Sequence, residues 1–274
     1  MRNISLAPLT VPALSPPEFI SCASRAGYSQ VTLRLVYGSP LSPEALLNHA
    51  SLLDETRARL RDEPVSVTDI EVLVIDAGTR IGDCARLLEV SASFGARRLV
   101  VCVNDTDASR ARDRLAELAG LAAASGLTLV LEFVPYLAMA TLDQACALVI
   151  AAGAPNVGVL IDAIHFDRSG HRAADIARFP TRLFPYVQLC DARPGRPPTM
   201  DEIIRQAREE RLYPGEGGID LSGLLRALPP ELPVSVEIPN LARIRQYGEV
   251  SHARMARERV NALLERSGWQ ESPE

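Results

Sequence analysis

Four short apolar runs each end on a residue that burial should forbid. Leu129-Val130-Leu131 leads into Glu132, Val159-Leu160-Ile161 into Asp162, Tyr186-Val187 into Gln188 and Val234-Ser235-Val236 into Glu237. Runs of Val, Ile and Leu without polar alternation are strands covered on both faces, as in a parallel sheet. A charged residue on such a strand is costly unless it is paired or bound to a cation. Strand ends converge at the C-terminal face of a closed parallel barrel, where catalytic groups collect. Three carboxylates and one amide meeting there form a ligand set for a divalent ion.

The rest of the chain repeats this pattern, with strands predicted at 4–7, 30–36, 65–71, 98–104, 127–133, 157–162, 186–190 and 233–238. Helical periodicity fills the gaps. Ser15-Pro16-Pro17-Glu18 opens the first helix with prolines at its first positions, and Ser42-Pro43-Glu44 opens a second in the same way. Further helices over 80–94, 108–125 and 142–152 close at Gly95, Gly126 and Gly153, the turn chemistry of repeated βα units. The long connection 191–218, rich in Pro, Gly and Arg, is expected to carry a short helix over 201–210 inside an active-site loop. An open doubly wound sheet would bring a glycine-rich turn after the first strand, and Leu6-Ala7-Pro8-Leu9-Thr10 has none. The expected fold is α/β, a single (β/α)8 TIM barrel over residues 1–274.

Composition narrows the partners. A net charge of −5 argues against nucleic acid, and every one of the 29 basic residues is arginine. Five scattered cysteines without a C-x-x-C pair read as reduced, buried thiols, and no run approaches a membrane span. With no basic n-region and apolar stretch at the N-terminus, the expectation is a cytoplasmic protein acting on a small-molecule substrate. Neither nucleic acid nor membrane is expected as a partner, and a homo-oligomer stays open.

Four motifs carry a resemblance across nearly the whole chain: Leu131-Glu132-Phe133-Val134-Pro135, Ile161-Asp162-Ala163-Ile164-His165, Val187-Gln188-Leu189-Cys190-Asp191 and Pro214-Gly215-Glu216-Gly217-Gly218-Ile219-Asp220. The chain resembles the xylose isomerase-like TIM barrel superfamily of sugar phosphate isomerases and epimerases, which also includes endonuclease IV. That resemblance implies one divalent cation held by Glu132, Asp162, Gln188 and Glu237, with Gln188 standing where histidine is common. It implies catalytic roles for Glu132 and Glu237 on two faces of the substrate. His165, three residues past Asp162, is placed as a substrate contact and suits acid–base work near pH 7. Arg211, just before the glycine loop, is implied as a substrate contact, with Arg208 competing one turn earlier. Arg34 and Tyr37 at the end of strand two are expected to face the same mouth; Asp69 and Glu71 on strand three either face it too or, equally, serve as a helix cap or salt-bridge partner. His49, His171 and His252 have no comparable placement.

An all-oxygen shell favours Mg²⁺ or Mn²⁺ over Co²⁺ or Zn²⁺. It also overcompensates a dication by one charge, unless one carboxylic acid is protonated or a cationic side chain approaches. The chemistry implied is proton transfer next to a carbonyl through a metal-bound enediolate, giving isomerisation or epimerisation of a sugar or polyol derivative. A 3-dehydroshikimate dehydratase-type lyase, whose strand seven Val187-Gln188-Leu189-Cys190-Asp191 resembles, is the alternative with the same metal shell. A non-catalytic sugar-binding barrel is opposed by the completeness of that shell, and a zinc nuclease by the four histidines and the negative charge. Replacing the neutral amide at position 188 with imidazole should move metal preference toward Zn²⁺, Co²⁺ or Ni²⁺. Gln188→His reconstituted with each ion in turn is the check; an unchanged metal ranking would remove Gln188 from the ligand set.

Overall fold

Eight parallel strands close on themselves in the computed structural model, which describes residues 3–269. They are β1 Ile4–Leu6, β2 Gln30–Gly38, β3 Ser66–Ile75, β4 Arg98–Val103, β5 Thr128–Glu132, β6 Val157–Asp162, β7 Tyr186–Leu189 and β8 Val234–Val236. Each pairs with the next in sequence and β8 returns to β1, so the fold is the expected single (β/α)8 TIM barrel. The helices are α1 Pro16–Arg25, α2 Ala50–Asp62, α3 Ala85–Ser93, α4 Ala108–Ala124, α5 Leu142–Ala152, α6 Ala163–Arg168, α7 Ala173–Ile176, α8 Met200–Glu209, α9 Leu221–Ala227, α10 Leu241–Tyr247 and α11 Glu249–Arg266. None of the described helices is long and apolar enough to cross a membrane.

Local chemistry sets the helix limits. Asp107 caps α4 by accepting from the Ser109 and Arg110 N–H groups, and Thr141 with Gln144 forms a capping box on α5. Gly153 ends α5 at φ +66°, a left-handed position that suits glycine. Two expectations need correction. Ser42-Pro43-Glu44 does not open a helix: the chain turns there, passes through a single 3₁₀ turn at Leu46–Asn48, and α2 starts only at Ala50. The helix predicted from residue 80 begins as 3₁₀ at Ile81–Cys84 and becomes α-helical at Ala85. All five cysteines are buried and free of disulfides, as expected of reduced thiols.

Alternate strand residues point into the barrel, and they change character from floor to mouth. At the floor, Asp69 is fully buried against Arg98, accepts from Tyr186 Oη at 2.8 Å and from Thr68 Oγ1 at 2.6 Å, while Arg98 lies 4.8 Å over the Tyr186 ring. Of the two expectations for Asp69, the salt bridge holds and the mouth does not: it sits level with the start of β4, paired in register with Arg98, two residues below Glu71. Val100, Val130 and Leu160 fill the middle against Tyr186. The larger apolar core lies outside this plug, between the barrel and its helices.

Removing one partner of a buried ion pair strands the other charge, at a cost of about 3–5 kcal/mol. Asp69→Ala should lower unfolding free energy on that scale in urea titration. A loss within 0.5 kcal/mol would show that the floor pair is dispensable.

Candidate active site and metal centre

The expected strand-end residues gather around one cavity of about 410 Å³ at the mouth, within the usual range for a small-molecule site. Glu132, Gln188, Glu237, His165, Arg211, Arg208, Arg34, Glu71 and Tyr37 line it. Asp162 lies in register beside Gln188. Ligand atoms of Glu132, Asp162 and His165 lie within 4.8 Å of one another.

Asp162 does two jobs. As the residue that ends β6 and caps α6, its Oδ1 accepts from the Ile164 and His165 N–H groups at 2.9 and 3.0 Å. Its Oδ2 accepts from Arg211 Nη1 at 2.7 Å. The same guanidinium reaches Glu237 Oε2 through Nη2 at 2.9 Å, and its Nε donates to the Ala207 carbonyl at 2.7 Å. Arg211 thus bridges two expected metal ligands while only 2 % exposed. Of the two expected ways to relieve the crowded carboxylates, a cation does approach, and burial also raises two of the acids. Glu132, Asp162 and His165 are the group whose ligand atoms come close enough to share one ion, and Glu237, held by Arg211, is not part of that group. Two carboxylates and an imidazole so grouped are donors that suit a divalent ion.

Electrostatics tell the same story. Burial, then the charges of Asp162 and Glu237, push the Glu132 carboxyl well above the usual range. Burial also raises Glu237, although Arg211 opposes it. Burial works against ionised Asp162, yet Arg211, His165 and the backbone N–H hold it below its ordinary value. Glu132 Oε2 accepts from the Cys102 thiol at 3.4 Å. His165 Nε2 stands 3.8 Å from Glu132 Oε1, its Nδ1 is buried without a hydrogen-bond partner, and the Tyr136 ring packs edge-on at 5.8 Å. Burial pushes its imidazole down to about 4, so it is neutral at pH 7.

The two other expected arginines sit toward the opening. Arg34 Nη2 pairs with Glu71 Oε1 at 2.7 Å, and burial pushes Glu71 up to about 8 despite that partner. Arg208 lies 5.8 Å over the Tyr136 ring. Among the remaining histidines His49 is exposed, and His171 accepts from the Leu142 N–H. His252 is fully buried between Tyr213 Oη at 2.7 Å and the Ile238 carbonyl at 2.8 Å, bracing the segment after Glu237.

Sequence reasoning missed Cys102, Tyr136 and Asp191. The last is the organiser of the glycine loop. Its buried carboxylate accepts from the N–H groups of Ala192, Gly215, Gly217 and Ile219 at 2.9–3.1 Å. Backbone bonds between Asp191 and Leu212 in both directions, and from Arg211 N–H to the Pro239 carbonyl, then hold Arg211 between the ends of β7 and β8. The signal for Asp191 was its place after an apolar strand, three residues beyond Gln188.

Comparison with known proteins places this geometry in context. The profile of the xylose isomerase-like TIM barrel family matches residues 20–263. A 3-dehydroshikimate dehydratase of Pseudomonas aeruginosa is 28 % identical over 154 residues, 54 % of this chain and 24 % of that protein. An inosose isomerase of Bacillus velezensis is 32 % identical over 116 residues, 42 % of this chain and 39 % of that one. The matched segments thus span less than half the length of these curated relatives. The crystal structure of the IolI protein with a bound zinc atom superposes with a TM-score of 0.80 at 19 % identity, over 99 % of this chain and all of that one.

Gly217 has no room for a side chain: a Cβ there would collide with the Ala192 carbonyl oxygen and the Asp191 carboxylate. Gly217→Ala should therefore displace the loop, at about 1–3 kcal/mol, and expose residues 212–220 to protease. Wild-type stability and cleavage pattern would show that Asp191 does not anchor this loop.

Proposed function

The chain belongs to the xylose isomerase-like TIM barrel family, and on that premise we propose that it is a divalent-metal-dependent isomerase or epimerase of sugar or polyol derivatives, working by proton transfer next to a carbonyl. The observation that carries this reading is the meeting of Glu132, Gln188 and Glu237 at one cavity, with Asp162 in register beside Gln188 and its ligand atoms close to those of Glu132 and His165. These four residues would hold the metal, Mg²⁺ or Mn²⁺ by their oxygen donors, with the zinc of the IolI structure a precedent for the fold. When bound, the ion supplies Lewis acidity that polarises the substrate carbonyl.

The chain's own residues supply the rest. Glu132 and Glu237, on non-adjacent strands, remove the α-proton and return it. His165, neutral at pH 7, donates an N–H to the oxygen on which negative charge develops, which suits an imidazole buried beside Glu132. Tyr136 and the apolar wall of Val72, Val74, Val100 and Val134 keep water from the reacting carbon.

A second reading, dehydration of a 3-dehydroshikimate-like substrate, is favoured by the rim. Arg34 is matched by Glu71, whereas Arg208 has no carboxylate within ion-pair distance among the described residues. A guanidinium at the opening suits a substrate bearing a carboxylate. Both readings share the first step and diverge only in whether a β-hydroxyl leaves.

The test is exchange of substrate protons with D₂O by the Mn²⁺-loaded protein, against ketoses, inosose-type polyols and 3-dehydroshikimate. Exchange with recovered or epimerised substrate supports the first reading, and loss of water supports the second. His165→Ala should retain metal and lose roughly 10²-fold in turnover. No exchange with any of these compounds would overturn both readings.

A further inference from the structure

A buried arginine touching two metal ligands poses a physical problem. Arg211 is a permanent cation whose donors are spent on protein acceptors: Asp162 Oδ2, Glu237 Oε2, the carbonyls of Ala207 and Glu237, and Cys190 Sγ at 3.6 Å. A guanidinium so engaged has little left to offer a substrate oxygen. It is anchored from both sides, by the Asp191–Leu212 pairing below and by Asn240 Nδ2 on its own carbonyl at 2.9 Å. Such pinning suits a fixed charge.

We propose that Arg211 is a built-in counter-charge to the metal centre, which relieves the repulsion between Asp162 and Glu237 without metal and limits how tightly a dication is held. The inference rests on the metal reading above, and it assigns Arg211 a role other than the substrate contact implied by resemblance. Two effects of the cation act in the same direction. It repels a dication placed between Glu132, Asp162, Gln188 and Glu237, and it relieves the repulsion among the carboxylates when none is bound. Removing the charge should therefore tighten metal binding on both counts. A residue that merely shaped the ligands would do the opposite, because its loss would let Asp162 and Glu237 drift apart. The two roles differ in sign.

Isothermal calorimetry with Mn²⁺ decides between them. Arg211→Gln is expected to bind Mn²⁺ about tenfold more tightly or better, with a lower melting temperature for the metal-free protein and a larger rise on metal addition. Arg211→Lys keeps the charge but loses the forked geometry, and should stay within about threefold of wild type. Equal or weaker binding in Arg211→Gln, when the wild-type protein binds, overturns the inference alone. A wild-type protein that binds no divalent cation overturns the metal reading, and the inference with it. Arg211→Gln that folds only with Mn²⁺ present is the same prediction at its limit, and failure to fold in saturating Mn²⁺ overturns it.

Discussion

Everything at the mouth of this barrel depends on one arrangement of charge: the Arg211 guanidinium set between Asp162 and Glu237, out of reach of water. Carboxylates crowded in a poorly solvated pocket repel one another, and each ordinarily answers by taking up a proton. Here one cation is fixed among them, against Asp162 and Glu237. The raised Glu132 and Glu237 carboxyls and the lowered Asp162 show how unevenly a single guanidinium serves three acids. Geometry explains the difference, because Asp162 alone also collects two N–H groups from the helix it caps.

The two ends of the barrel treat buried charge in opposite ways. At the floor Asp69 meets Arg98 and the Tyr186 hydroxyl, so its charge is matched one for one and its oxygens are satisfied. At the mouth burial raises the Glu132 and Glu237 carboxyls, and the His165 Nδ1 is left without a partner. Between them, Val100, Val130 and Leu160 keep the two networks apart.

Some of this was legible in the chain and some was not, for definite reasons. Glu132, Asp162, Gln188 and Glu237 stood out because a polar group ending a fully apolar run breaks a local rule, and their meeting follows from barrel closure. The Ser42-Pro43 start misled because proline after serine also suits a turn, and the tertiary path to α2 needed one. His252 gave no signal, since its partners Tyr213 and Ile238 are 39 and 14 residues away. Asp69 and Glu71 looked alike in sequence, both pointing inward two residues apart, but that step moves a side chain from the floor network to the mouth.

The sequence by itself determined the order of strands, the barrel, and the four strand-end polar residues, because periodicity and the cost of burying charge are local properties. Only the tertiary structure decided which charges neutralise which. Arg211 approaches Asp162 across 49 residues and Glu237 across 26, by way of a loop that Asp191 folds onto the strand ends. Pairing at such separations depends on where loops return to the barrel, a matter of packing that composition and spacing do not encode.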